Sequence, residues 1–267
     1  TGFVPDDAKR AYRLHATFED GSETVIDLPG MAESGRERPA PPRTLRRLAG
    51  SVVRRLRTRD FSGLLPSRRD RNLPPLDEAR VAEALVKPLR EARVVRVIFD
   101  HDMGGGANLY RRKIVEGWVA AGDAVVLCTY HLPTLDYRFE LRAGGTESAF
   151  RATSFIALER VIRDTPVAEL FVNSPVSFDD PMLLADWLAR MRAAYPAVRL
   201  TVTLHDYYSV CPSFVLLDAD GRFCGIPAPA ECERCLARHA APHVALTPPA
   251  EIGPWREAWH RCLRAAD

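Results

Sequence analysis

The sequence predicts an α/β fold built on a parallel sheet with flanking helices. From residue 93 onward, short apolar runs typical of buried strands alternate with longer stretches of helical periodicity. Strands that alternate with helices form parallel sheets with right-handed crossover connections. Of the 267 residues, 46% are hydrophobic, which suits a globular domain with a full core. We therefore expect a Rossmann-like domain at 93–267, preceded by other elements.

The N-terminal region at 1–30 predicts a β-hairpin that ends an upstream β module. Apolar residues alternate on both sides of Asp20-Gly21, a dipeptide typical of hairpin turns. Because the chain opens at Thr1 in the middle of this pattern, we interpret it as a fragment of a longer protein.

A Pro- and Arg-rich linker with amphipathic helices is predicted at 31–92. Twelve arginines stand against three acidic residues between positions 36 and 71, although the net charge of the whole chain is only +2. Apolar residues recur at helical spacing within 42–58, which predicts a basic amphipathic helix. Three interpretations stay open for it: docking on its own domain, peripheral contact with anionic lipid, or contact with nucleic acid. The near-neutral total charge weighs against nucleic acid as a partner.

Within the main domain, the periodicity predicts each element in turn. Strands are expected at 94–100, 124–129, 169–173 and 199–204. Helices are expected at 107–121, 154–164, 181–194 and 254–266, and a helix at 76–91 in the linker leads into the domain. The stretch at 133–150 is expected to be a variable loop. No apolar run approaches the roughly 20 residues that span a bilayer, and no signal peptide is visible. The expected location is cytoplasmic, with peripheral contact at the inner face of the cell membrane.

Three glycines follow the first predicted strand and lead into a helix. Gly104, Gly105 and Gly106 let a backbone approach a ligand closely, and a helix N-terminus favours an anion. The pattern is not a dinucleotide fingerprint, because its third glycine position falls on Leu109. NAD binding is therefore not expected. We predict a ligand-binding loop that includes Asn108, with a simple tight turn as the alternative.

Two further polar segments follow strands of the predicted sheet. Asn173 and Ser174 follow the third strand, and His205 and Asp206 follow the fourth, with Tyr207 next in the chain. Ligands of open α/β sheets bind at the carboxyl ends of the strands. A histidine there can bind, orient or exchange protons. Turn and capping roles are the alternative for both segments.

Four of the six cysteines lie within 25 residues of one another. The spacing is Cys211-x12-Cys224-x7-Cys232-x2-Cys235, on a segment at 211–235 that is predicted to contain a hairpin. A Cys-x2-Cys pair can place two thiolates on one tetrahedral zinc ion. We predict a structural zinc site that holds the loop after His205, since four cysteine ligands leave no open position for catalysis. Free thiols or a disulfide are the alternatives.

With these motifs in place, residues 93–267 resemble the N-terminal half of a retaining GT-B glycosyltransferase of the large family-four type. The most specific stretch runs from Thr203-Leu204-His205-Asp206-Tyr207-Tyr208 through Cys211-Pro212 to Cys232-x2-Cys235. It is similar to bacterial enzymes that build O-antigen, capsule and related surface polysaccharides.

The resemblance implies an acceptor-binding domain that faces a second, donor-binding domain across a cleft. It implies catalytic roles for His205 and Asp206. It also implies that seven residues bind substrate: Gly104, Gly105, Gly106, Asn108, Asn173, Ser174 and Tyr207. The acceptor would be a glycan or a lipid-linked glycan, and the nucleotide sugar would bind mainly to the donor domain. That domain is absent from the sequence, so we expect this fragment alone to be inactive.

One alternative is a metal-stapled, non-enzymatic module that binds nucleic acid or protein. The cysteines and the arginine-rich linker favour this alternative. The absence of an aromatic and basic stacking surface weighs against it.

Overall fold

The computed structural model describes residues 73–132, 134–239 and 251–267, together with the backbone of three strands before residue 29. The chain divides into two compact units, Thr1–Arg43 and Thr44–Asp267. The basic segment predicted to be helical at 42–58 lies outside the described residues.

The first unit contains a three-stranded antiparallel sheet. Its strands are β1 (Phe3–Asp6), β2 (Ala11–Thr17) and β3 (Glu23–Leu28), in that order. The β2–β3 pair runs from Tyr12 opposite Leu28 to Thr17 opposite Glu23. The predicted hairpin is thus confirmed, and β1 adds a third strand to it.

A seven-stranded sheet forms the centre of the second unit, with the order β10-β9-β5-β6-β7-β8-β4. Its strands are β4 (Pro75–Leu76), β5 (Val95–Asp100), β6 (Ala124–His131), β7 (Asp136–Ala143), β8 (Thr146–Ala152), β9 (Val167–Val172) and β10 (Arg199–Val202). The helices described are α1 (Glu78–Leu89), α2 (Gly105–Ala120), α3 (Leu158–Asp164), α4 (Pro181–Ala194), α5 (Pro229–Arg238) and α6 (Ile252–Ala265). None of these helices is both long enough and apolar enough to cross a membrane.

The sheet is mostly parallel, which confirms the α/β class with flanking helices. Strands β10, β9, β5 and β6 are parallel neighbours, whereas β7 is antiparallel to both β6 and β8. The chain moves from β5 to β6 on one side and later returns to β9 on the other side. The connections therefore diverge between β5 and β9, and a crevice forms at such a switch point.

The prediction of a loop at 133–150 is wrong, because most of this segment forms the β7–β8 hairpin. Along β7, Tyr137, Phe139 and Leu141 are buried and alternate with charged residues, as in a strand with one covered face. The turn contains Gly144 and Gly145, whose φ angles of 56° and 77° suit the turns that join tight hairpins. Inward apolar residues thus override the charged ones in determining the structure of this segment.

Helix α1 belongs to the core of the second unit, although the sequence assigned it to the linker that ends at residue 92. Val81, Leu85 and Leu89 are fully buried and recur at helical spacing. Strand β4, just before the helix, pairs with β8 and forms one edge of the sheet. The compact domain therefore begins well before residue 93, because both elements cover apolar surface of the sheet.

The two faces of the sheet carry different amounts of apolar covering. Helix α2 lies on one face, where Val115 packs with Ile98 and Phe171. The larger core covers the other face and includes residues of α1, α3, α4 and α6. At its centre, edge-to-face aromatic contacts join Phe155 to Phe99 and Trp187. This dense packing gives the carboxyl ends of the strands a rigid base.

The last residues of the sequence contact the edge strand β10. Asp267 donates its backbone N–H to the Leu200 carbonyl and accepts the Leu200 N–H at its carboxylate, both at 2.9 Å. Arg192 of α4 donates to the same carboxylate at 2.8 Å. The end of the chain thus pairs with a backbone edge that would otherwise face solvent.

Candidate functional site

Three loops meet at the carboxyl ends of β5, β9 and β10, next to the switch point. The first contains Gly104–Gly106, which we call the glycine loop. The second starts at Asn173, and the third contains His205 and Asp206. Their convergence follows from the parallel pairing of these strands, since parallel strands all end at the same edge.

The glycine loop is open on its outer side. Gly104 and Gly105 have φ angles of 86° and 87°, a region that favours glycine. Gly106 has ordinary backbone geometry. A Cβ placed on any of the three would meet no atom within 4 Å. Packing therefore does not require their lack of side chains, and the backbone stays accessible at the start of α2.

A buried polar framework holds the glycine loop in shape. The Asp100 carboxylate, fully buried, accepts hydrogen bonds from Asn108 Nδ2 at 3.1 Å and Arg111 Nη1 at 2.8 Å. Asn108 Oδ1 accepts the Gly104 N–H at 2.5 Å, and Asn108 Nδ2 also donates to the His101 carbonyl at 2.7 Å. The polar atoms of Asn108, predicted to bind substrate, are thus used within the loop, where they fix its conformation.

Asn173 connects two of the predicted motifs. Its Nδ2 donates to the Ala107 carbonyl in the first turn of α2 at 3.0 Å, and its Oδ1 lies 2.9 Å from His205 Nε2. The Asn173 side chain is buried, whereas His205 is exposed, so the two contacts anchor an accessible ring to a buried amide. Since the Asn173 oxygen is an acceptor, His205 Nε2 is the donor in this contact. The other ring nitrogen, Nδ1, then carries the lone pair of neutral His205.

His205 lies at the surface of this cluster, where a ligand can reach it. Its ring contacts Tyr110 of α2 edge-to-face, with 5.1 Å between the ring centroids. Tyr110 itself is 44% exposed, and Met103 and Leu109 nearby in the chain are similarly exposed. The histidine is therefore positioned by α2 on one side and by Asn173 beneath it.

Burial raises the pKa of Asp206, the neighbour of His205, although smaller effects lower it. Those effects include a hydrogen bond from the Tyr208 N–H at 2.8 Å and the charges of His205 and His101. Ser174 is buried and lines a cavity of about 20 Å³ together with Asp206. Tyr207 joins the loop through its backbone, since its N–H donates to the Phe214 carbonyl at 2.9 Å.

Two histidines and an aspartate that were not predicted as site residues also lie at this edge. Burial lowers the pKa of His101, whose Nδ1 accepts the Met103 N–H at 3.2 Å. Burial raises the pKa of Asp102, while the nearby His131 lowers it in smaller part. His131 Nε2 lies 3.7 Å from Asp102 Oδ2. The signal for His131 was its position just after the second predicted strand, which in fact runs to residue 131.

The four cysteines Cys211, Cys224, Cys232 and Cys235, which we call the cysteine cluster, line a single cavity of about 650 Å³. The predicted hairpin is reduced to one bridge between Leu217 and Phe223, and α5 carries the last two cysteines. All four are free thiols. Among the described residues, no group of three or more His, Cys, Asp or Glu side chains already has the arrangement of a metal site.

Comparison of the chain with protein-family models, with curated proteins and with solved structures gives no significant match. The role of the chain must therefore be inferred from the geometry of the site and from the motifs that form it.

Proposed function

We propose that this chain supplies the acceptor-side domain of a retaining GT-B glycosyltransferase. In this proposal a sugar moves from a nucleotide-sugar donor to a glycan or lipid-linked acceptor at the inner face of the cell membrane. The observation that carries the proposal is the double contact of Asn173, which joins His205 to the first turn of α2. It links three motifs at one sheet edge, and those same motifs carry the resemblance to the glycosyltransferase family.

The structure of the glycine loop supports a role for this loop in binding phosphate. Its outer side is open, and the N-terminus of the 16-residue helix α2 follows it directly. Backbone N–H groups and the helix dipole at such a terminus stabilise negative charge. A diphosphate leaving group gains charge as the glycosidic bond breaks, so donors aimed there in advance would lower the barrier.

His205 would orient the transferred sugar. Because Nε2 donates to Asn173, the Nδ1 lone pair of neutral His205 can accept a hydrogen bond from a sugar hydroxyl. Asp206 follows it in the chain as a half-buried carboxylate at the same sheet edge. The exposed side chains of Met103, Leu109 and Tyr110 provide apolar surface next to the same opening.

Donor binding falls mainly to a second domain in this proposal, so residues 1–267 alone should not transfer sugar. The test uses the complete natural chain that contains these residues, supplied with radiolabelled nucleotide sugars and lipid-linked glycans from bacterial membranes. We expect transfer by that chain and a loss of about 10²-fold in His205→Ala, the scale of losing one positioned polar group. Asn173→Ala should also lose activity, because it removes the group that positions His205.

His260→Ala serves as a matched control, since this histidine lies on α6 outside the three loops. The control should transfer sugar at the wild-type rate. Sugar transfer by residues 1–267 alone would refute the division of labour between two domains. Unchanged transfer in His205→Ala would refute the role of the site.

The cysteine cluster is the observation that favours the second candidate, a non-enzymatic binding module. Four thiols around one cavity are compatible with a domain whose purpose is to present a stable surface. Salt-dependent binding of arbitrary DNA by the purified chain, without any sugar transfer by the complete protein, would support this candidate.

A further inference from the structure

We infer that the cysteine cluster is a structural zinc site that stabilises the loop carrying His205 and Asp206. The inference is independent of sugar transfer, since it concerns a metal bound by this chain's own thiols. The first support for this inference is that the four cysteines meet at one place in the fold. Three separate segments, at 211, 224 and 232–235, place their cysteines around one cavity of about 650 Å³.

The donor set fits zinc better than hard metal ions. Four thiolates form the usual tetrahedral environment of structural Zn²⁺, whereas Mg²⁺ and Ca²⁺ prefer oxygen ligands. Cys232 and Cys235 are separated by three positions on α5, so they lie on the same side of the helix. The four sulfurs do not already stand in a metal-binding arrangement among the described residues, so a bound ion would have to draw them together.

The surroundings of the sulfurs match the needs of a charged cluster. One Zn²⁺ with four thiolates carries a net charge of −2, which requires compensation in a partly buried place. Arg256 of α6 donates from Nη2 to Cys232 Sγ at 3.3 Å. This guanidinium would stabilise a metal-bound thiolate as an outer hydrogen-bond donor.

Hydrogen bonds connect the cysteine cluster to the loop that carries His205 and Asp206. The Cys211 N–H donates at 2.9 Å to the carbonyl of Tyr207, which is the residue after Asp206. The same Arg256 donates from Nε to the Val210 carbonyl at 3.1 Å, and Trp255 donates to the Tyr208 carbonyl at 2.8 Å. A metal at the cluster would therefore connect this loop to α5 and α6.

The test starts with the wild-type chain, purified under reducing and anaerobic conditions, and measures its zinc and iron by elemental mass spectrometry. We expect about one zinc ion per chain. Replacement by Co²⁺ should give the intense sulfur-to-cobalt charge-transfer absorption of four thiolate ligands. Cys232→Ser and Cys224→Ser should each lose most of the bound zinc.

Cys128→Ala and Cys262→Ala are matched controls, because both cysteines are buried in the core outside the cluster. They should keep one zinc ion per chain. Removal of zinc by a chelator should lower the melting temperature of the wild-type chain and change the fluorescence of Trp255.

A wild-type chain that binds no zinc, with its thiols free or paired in disulfides, would overturn the inference. Stoichiometric iron with visible absorption would overturn it as well, in favour of an iron–sulfur cluster. Both results can be read from the wild-type protein, so a variant that fails to fold leaves the inference testable.

Discussion

Gly104 is the N-cap of α2 and Gly106 lies in the first turn of the helix, and their backbones have different requirements. Gly104 has φ 86° and ψ −164°, a region that only glycine enters readily, whereas Gly106 has ordinary geometry. In both cases a new Cβ would meet no atom within 4 Å. Substitutions at these two glycines therefore test backbone strain and ligand access separately.

Gly104→Ala should destabilise the protein by about 1–3 kcal/mol through backbone strain. Gly106→Ala should leave the free energy of unfolding nearly unchanged but weaken ligand binding, because its methyl group enters the open space over the loop. Urea unfolding measures the first effect, and titration with a nucleotide sugar measures the second on the complete chain. Equal stability losses in both variants would contradict this assignment.

Asp206 illustrates a cost in stability at a candidate site. Its pKa is raised above the ordinary 3.8, mainly by burial, so the folded protein binds this proton more readily than the unfolded chain does. The burial penalty is absent below the unfolded pKa and grows as the pH rises through the folded pKa. At neutral pH the charged carboxylate therefore reduces the free energy of unfolding.

Asp206→Asn should raise the melting temperature at pH 7, since it removes the partly buried charge and keeps the oxygen that accepts the Tyr208 N–H. The gain should shrink as the pH approaches 4. Melting curves of both proteins between pH 4 and 8 provide the measurement. A gain that is independent of pH would show that the charge of Asp206 is not its source.

At the scale of elements, helix α1 is part of the core of the second unit. Leu85→Ala should destabilise the second unit by about 2–5 kcal/mol, because its fully buried side chain would leave a cavity. Glu83→Ala, on the exposed side of the same helix, should change stability by no more than about 0.5 kcal/mol. Urea unfolding followed by circular dichroism distinguishes them. A small effect of Leu85→Ala would place α1 outside the cooperative core.

Elements with a continuous apolar run could be predicted from the sequence, and those with mixed composition could not. Strand β5 is almost entirely buried and was predicted within one residue. Strand β7 was missed because Arg138, Glu140 and Arg142 obscure its alternation. Helix α1 was predicted as a helix, but periodicity does not say which surface covers the buried face of a helix.

The candidate site was predictable in its motifs and not in its contacts. The sequence places Asn173 and His205 after two strands, but only the parallel pairing of β9 with β10 makes them neighbours. Asn108 carries the same functional groups as Asn173, yet its amide is used within the glycine loop. Residue type and position therefore indicate a candidate, and three-dimensional pairing decides its role.

For the whole molecule, the arginine-rich stretch at 36–71 predicts contact with an anionic membrane surface. We expect residues 1–267 to bind vesicles that contain anionic lipid and to release them as the salt concentration rises. Changing Arg46, Arg47, Arg54 and Arg55 to Gln should abolish this binding. Co-sedimentation with anionic and with neutral vesicles provides the measurement. Equal binding to both kinds of vesicle would exclude an electrostatic contact.

The pairing of Asp267 with the edge strand β10 has a consequence for biosynthesis. Chains emerge from the ribosome N-terminus first and begin to fold as they do so. The edge of β10 can be covered only after Asp267 has emerged, and the loop carrying His205 lacks its α6 contacts until Trp255 and Arg256 have emerged. A nascent chain stalled before residue 255 would therefore expose both an open strand edge and an unsupported site, which makes it a natural client for chaperones that bind exposed strands.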